Sequence, residues 1–385
     1  MTSTVACPMY CSESAKRCVD IDPSDDPLGR PLDDLMDMLA GTGQNLVFPA
    51  TCTAATCRIN AGDGTITGAS SGSTAPSTLV SGHGRVFRVE RLDLQGVVKV
   101  TGSVPLVILS NDAIVIRGVL DASADLRVNG PGAQGSNTAC TGRFYRGAST
   151  VSAGGGGGGR HTAGGAGGTT SSGAQGGAGG LVQSEPTLIP LHGGCQGGWV
   201  DEQDGLRVTW YGGGGGAVQL VSRKSVSLLG GGVIDVSGGG GESGDTSFTT
   251  ELLGGTGGGS GGSVLIEAPT VMLDGSGVVI SAKGGGGSAA GPRGFNGSDG
   301  GFGPGAAAGG TNPNGASGGN GGTETSPPAA GQNATGSNGS DGGGGGGAVG
   351  LCRINTRSGD VSQQNGAAVR CIRPLNTRLA ERILP

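Results

Sequence analysis

Two adjacent stretches of this chain repeat one another 22 residues apart, with nothing inserted between them. Leu92, Leu94, Gly96, Val97 and Val98 return as Ile114, Ile116, Gly118, Val119 and Leu120, and Val86-Phe87 returns as Ile108-Leu109. A fixed period of this size marks stacked repeats, each burying its apolar side only against the next. Apolar residues alternate within both copies, which is the period of a strand. Gly96 and Gly118 stand where a sharp bend between strands needs an unusual φ. The pattern predicts an all-β chain built as a right-handed parallel β-helix, one coil for each repeat.

Further copies follow after interruptions. Ala217–Val221 opens a third, with Val226, Leu228, Val233 and Ile234 in the columns of Ile114, Ile116, Val119 and Leu120. A fourth carries Leu265, Ile266, Val271, Leu273, Val279 and Ile280, and a fifth begins at Ala348 and then loses the pattern. The interruptions span about 124–216, 238–262 and 284–347. Each leaves after the last strand of one coil and returns before the next, so all should emerge on one side.

Glycine fills these insertions: the chain has 89 in 385 residues, with unbroken runs at 154–159, 212–216, 284–287 and 342–347. Fixing a backbone costs roughly 1–2 kcal/mol per residue, and glycine loses the most freedom. Such runs either stay as flexible coil or pack as threefold, polyglycine-II-like strands joined by backbone hydrogen bonds, where a crowded axis admits no side chain. Runs such as 164–168, 176–180 and 254–262, almost without Lys or Glu, favour close packing. The stretch 286–341, interleaved with Asn, Pro, Ser and Asp, is expected to be loose.

Residues 1–44 read as a separate Cys-containing lead-in that ends in a short helix, and 45–385 as the β-helix with its insertions. Pro31 to Ala40 has proline and aspartate where helices start, Leu32, Leu35, Met36 and Leu39 on one face, and Gly41 to stop it. It is expected to cap the first coil. Residues 45–80 read as weak first coils.

Net charge is −5 and aromatic residues make up 3 %, which gives no basic footprint for nucleic acid. No apolar run is long enough for a transmembrane helix. The residues after Met1 lack the basic and apolar regions of a signal peptide. Nine cysteines fall mostly in local sets: Cys7, Cys11 and Cys18; Cys52 and Cys57; Cys140 and Cys195; Cys352 and Cys371. Without a CxxC pair or clustered histidines they read as disulfides in an oxidising compartment, and not as a zinc site. The odd sulfur has two readings. Thr4-Val5-Ala6-Cys7 partly matches a lipoprotein cleavage site, making Cys7 a lipid attachment point if the true start lies upstream; otherwise Cys7 pairs with Cys11 or Cys18.

Chemistry-bearing motifs are sparse. Gly258-Gly-Ser-Gly-Gly262 matches a nucleophile elbow, but no strand-turn-helix context surrounds it. No P-loop follows any glycine run, and no cofactor is expected. Trp199, Asp201, Glu202, Asp204, Trp210 and Tyr211 gather between positions 199 and 211 as a candidate sugar-contacting or calcium-assisted patch. His83, His161 and His192 are far apart and read as surface or loop residues. Charged residues of the strand columns, among them Lys99, Asp121 and Asp125, read as the outward face of the coils.

The segments 232–241 (Gly-Val-Ile-Asp-Val-Ser followed by four Gly) and 212–221 (five Gly before Ala-Val-Gln-Leu-Val), with the lead-in Cys18-Val-Asp-Ile-Asp-Pro-Ser24, resemble glycine-rich bacterial cell-surface and secreted β-helix-type proteins. The resemblance covers most of 7–356 and implies export to the outer surface. It supplies no catalytic residues. The expectation is a secreted or surface-anchored structural or adhesive protein, not an enzyme, whose partners are surface glycans or other surface proteins. A polysaccharide lyase or hydrolase is the alternative, and ice or ordered-surface binding a weaker one.

Overall fold

The computed structural model describes residues 7, 9–12, 17–24, 31–37, 44–70, 75–135, 138–146, 151–183, 185–201, 211–243, 254–291, 294–335, 340–373 and 377–383. Among them the chain is nearly all β, with one helix, Pro31–Asp37. Three sheets dominate, and their neighbouring strands are parallel except for one antiparallel edge strand in two of them. The chain visits the three in a constant order. It passes from Gly84–Val89 to Arg91–Leu94 to Val97–Thr101, then from Leu106–Ser110 to Ile114–Ile116 to Val119–Asp121. The same order recurs from Ala217–Ser222, from Ser263–Glu267 and from Leu351–Thr356. We call these the first, second and third sheets.

The repeat columns become ladders of buried side chains. In the second sheet Leu46, Leu92, Ile114, Val226 and Val271 align, as do Phe48, Leu94, Ile116, Leu228 and Leu273. In the third sheet Val98, Leu120, Ile234 and Ile280 align. All of these belong to one apolar core.

The first sheet departs from the 22-residue column. Val107 pairs with Val86, and Ile108 with Phe87. Phe87 and Ile108 face the main core, while Val86, Val107 and Leu109 face the other way. A one-residue slip exchanges the two faces of a strand. Here alternation gave no warning, because both faces are apolar. The extra residue sits in the turn between Ser110 and Ile114.

The outer face of the first sheet is covered by the lead-in. Ile21, Leu32, Leu35 and Met36 pack on Val86, Val107, Leu109 and Val221, with Leu379 closing the cluster. The helix therefore covers the stack from the side. Arg17–Ile21 pairs antiparallel with Tyr10–Ser12 and with Glu381–Ile383. The buried Arg223 clamps this cover. Its guanidinium donates to both carboxylate oxygens of the buried Asp20, to the Met36 carbonyl and to Asn111 Oδ1. Beside it the fully buried Glu267 accepts from Ser24, Gln219 and Asn355.

Between the third sheet and the return to the first, the glycine segments assemble into one array. Gly154, Gly155 and Gly156 donate to the carbonyls of Gly168, Gly255 and Arg143; Gly157, Gly158 and Gly159 then donate to Gly165, Gly258 and Cys140. Every third residue thus returns to the same neighbour. The central segment, 254–262, donates to 342–348, to 195–198 and to 236–239, and accepts from 155–158, 212–215 and 285–288. The segments are buried although most of their residues are glycine. A Cβ on Gly157 would fall on the carbonyl of Gly346, and one on Gly258 on that of Gly285.

The described part of 286–341 is built into this array, contrary to the expectation of a loose stretch. Gly319 donates to Gly344, Gly322 to Gly347, Gly331 to Ala166 and Ala334 to Thr169. The polar side chains that suggested looseness stand in for backbone acceptors at its rim. Asn320 Oδ1 accepts from Gly309 N at 2.9 Å and Asn333 Oδ1 from Thr169 N at 2.9 Å; outside this stretch Asn129 Oδ1 accepts likewise from Gly214 N at 3.0 Å.

Four disulfides fasten the parts. Cys52–Cys57 pins the turn before Arg58–Asn60, Cys352–Cys371 ties the last strands through the core, Cys140–Cys195 lies in the array, and Cys7–Cys18 holds the lead-in. Of the two readings of Cys7, pairing with Cys18 is the arrangement present here.

Candidate functional site

The array and the β body meet along a groove of about 580 Å³, formed by 79–84 and 103–105 on one side and by 132–134, Thr138 and 191–192 on the other. That is within the usual range of small-ligand sites. Leu79, Val104, Pro105 and Leu191 supply apolar walls; Gln134, Thr138, His83 and His192 supply the polar groups. Among the described residues no carboxylate, lysine or arginine lines it. Burial lowers the pKa of His192 below the ordinary imidazole value; Glu185 opposes this and Arg160 adds to it. The imidazole is thus neutral at pH 7 and offers one donor and one acceptor. Both histidines lie in loops, as expected, and although far apart along the chain they share one groove. His161 is not among its lining residues.

Arg160 supports the groove from behind. It is fully buried and donates to the carbonyls of Gln183 and His192 and to Ser263 Oγ. Burial pulls its pKa down to about 10, so it stays charged at neutral pH and fixes the His192 backbone.

At the far end of the extended segment that begins after His192, Trp199 stacks on Phe144, with ring centroids 4.7 Å apart and planes 9° from parallel. At ~3.1 Å per residue the stack lies about 20 Å from His192. Phe144 is 51 % exposed, so this aromatic face is open to solvent. A short parallel pair, Tyr145–Arg146 with Val200–Asp201, holds the two rings together. Of the patch expected from sequence, Trp199 lies in the stack, Asp201 contributes backbone to the strand pair, and Tyr211 is half-buried before the run that starts at Gly212. Glu202, Asp204 and Trp210 lie outside the described residues.

A row of ionisable groups follows the third sheet into the array. Asp121 and Asp235 are in register on neighbouring strands. Each turns the chain out of the sheet by accepting the backbone N–H two residues on, from Ser123 and Ser237 at 3.0 Å, a local Asx turn. Lys99 Nζ lies 3.0 Å from Asp121. Burial raises the Asp235 pKa to about 6, with the Asp121 charge adding to it. Asp299, also raised chiefly by burial, accepts from Leu126 N and Gly240 N. The segment 301–305 lies over this row, accepting from Ser281 through Gly301 and from Lys283 through Gly303 and Gly305. These carboxylates hold backbone, so the row works as a junction between sheet and array.

No family model matches the chain, and neither curated proteins nor solved structures gave a match. No helix among the described residues is long and apolar enough to cross a membrane, and the four disulfides are compatible with an extracellular protein.

Proposed function

We propose that this chain is a secreted or surface-anchored structural and adhesive protein that contacts neutral carbohydrate. We read the three sheets as the faces of a right-handed parallel β-helix and the array as a polyglycine-II-like bundle along one side of it. The observation that carries this reading is the array itself, in which the segment 254–262 bonds to neighbours on every side chiefly through main chain, with the Ser260 and Ser288 hydroxyls adding to it. Such a body is stiff and carries its large aromatic side chains, Phe144, Phe295 and Phe302, at the surface. What it presents is an uncharged groove and a solvent-facing aromatic stack. Sugar rings offer apolar faces to aromatics and hydroxyls to amide, hydroxyl and imidazole groups.

The test is a glycan array run beside a polysaccharide-cleavage screen. Binding to neutral glycans without turnover is expected. Binding should weaken about tenfold in Trp199→Ala or Gln134→Ala, a loss of ~1.4 kcal/mol. Turnover by the unaltered protein, or binding unchanged in both variants, overturns the reading.

A further inference from the structure

The lead-in contains three sulfurs where one disulfide is made. Cys7 is bonded to Cys18, and the exposed thiol of Cys11 lies 2.6 Å from Cys7 Sγ. All three sulfur atoms are within 4.8 Å of one another. Cys11 also stands directly opposite Cys18 in the antiparallel strand pair, so its backbone is already placed for a second pairing. The other six cysteines are committed to buried or turn-pinning bonds elsewhere.

We propose that Cys7, Cys11 and Cys18 form a thiol–disulfide exchange site that always keeps one thiol free for a mixed disulfide with an external disulfide compound. The Cys11 thiolate attacks Cys7 Sγ, a Cys7–Cys11 bond forms, the Cys7–Cys18 bond breaks, and Cys18 leaves as thiolate. Cys18 can then attack Cys11, forming Cys11–Cys18 and releasing Cys7. The proton given up by the attacking thiol is taken by the departing one. Each step makes one S–S bond and breaks one, so no oxidant is consumed. Reaction with an external disulfide follows the same balance: the free sulfur takes one half and expels the other as a thiol. This inference does not rest on the carbohydrate reading, and neither stands or falls with the other.

The test is peptide mapping, without reduction, of the full chain after brief iodoacetamide labelling, and separately after incubation with oxidised glutathione. Label and glutathionyl group should each be found on more than one of the three cysteines. In Cys7→Ser the bond should re-form as Cys11–Cys18, and in Cys18→Ser as Cys7–Cys11. Label confined to Cys11, or two free thiols in either variant while the other three disulfides remain intact, overturns the proposal. So does retention of zinc by three reduced thiols. The intact Cys52–Cys57, Cys140–Cys195 and Cys352–Cys371 bonds separate these outcomes from misfolding.

Discussion

The β body and the glycine array solve the same problem in opposite ways. In the body, backbone hydrogen bonds run along the sheets, and side chains such as Leu228 and Ile234 fill the space between them. In the array the backbone bonds in every lateral direction, and at glycines such as Gly157 and Gly258 the space between segments is too small for a side chain. Phenylalanine shows the contrast. Phe48 and Phe87 are fully buried in the body, whereas Phe144, Phe295 and Phe302 are exposed on the array. Close packing therefore does not require apolar side chains, provided every backbone donor finds a neighbour's carbonyl.

The largest effect should come from the array. In Gly258→Val the new side chain meets the Gly285 carbonyl, and destabilisation upwards of ~4 kcal/mol is expected. Thermal unfolding and loss of protease resistance across 254–262 would read it. In the body, Leu228→Ala should cost about 2–5 kcal/mol through its cavity, with amide protection of 254–262 retained below the melting temperature. If Gly258→Val is the milder of the two, the contrast fails.

The junction is the pH-sensitive part. The folded pKa of Asp235, about 6, lies above its ordinary value of 3.8. The native state therefore holds this proton more tightly than the unfolded chain, and stability falls as pH rises from about 4 through 6, by the order of 3 kcal/mol. Asp235→Asn should flatten that decline and raise the melting temperature at pH 7.5; an unchanged profile would remove the carboxyl from the account. At the rim, Asn333→Ala deprives Thr169 N of its acceptor and should cost ~1 kcal/mol. Gly303→Ala, where a Cβ meets nothing, should change stability by less than ~0.5 kcal/mol. Equal losses in these two would show that rim acceptors do not matter.

The second and third sheets are legible in the sequence because their columns keep the 22-residue spacing, Leu92 and Leu94 with Ile114 and Ile116, and Val98 with Leu120. The first sheet stays ambiguous by one residue, because Val86 and Phe87 are both buried, on opposite sides. The glycine runs announce close packing, but Asn320 and Asn333 read as loop residues until their acceptor roles are seen. The groove is hidden for a topological reason: His83 and His192 are brought together by an insertion that folds back on the body. Phe144 and Trp199 are likewise distant in sequence, and no local pattern links them. Asp235 occupies an outward column of the third sheet and is nevertheless buried, next to the segment 301–305 that bonds Ser281 on the neighbouring strand.

The array's amides are shielded by segments remote in sequence, yet their backbone has neither the α nor the β signature. Far-ultraviolet circular dichroism would count these residues as unordered. Deuterium would nevertheless enter them as slowly as it enters the strands, so the two techniques would disagree about how much of this chain is folded.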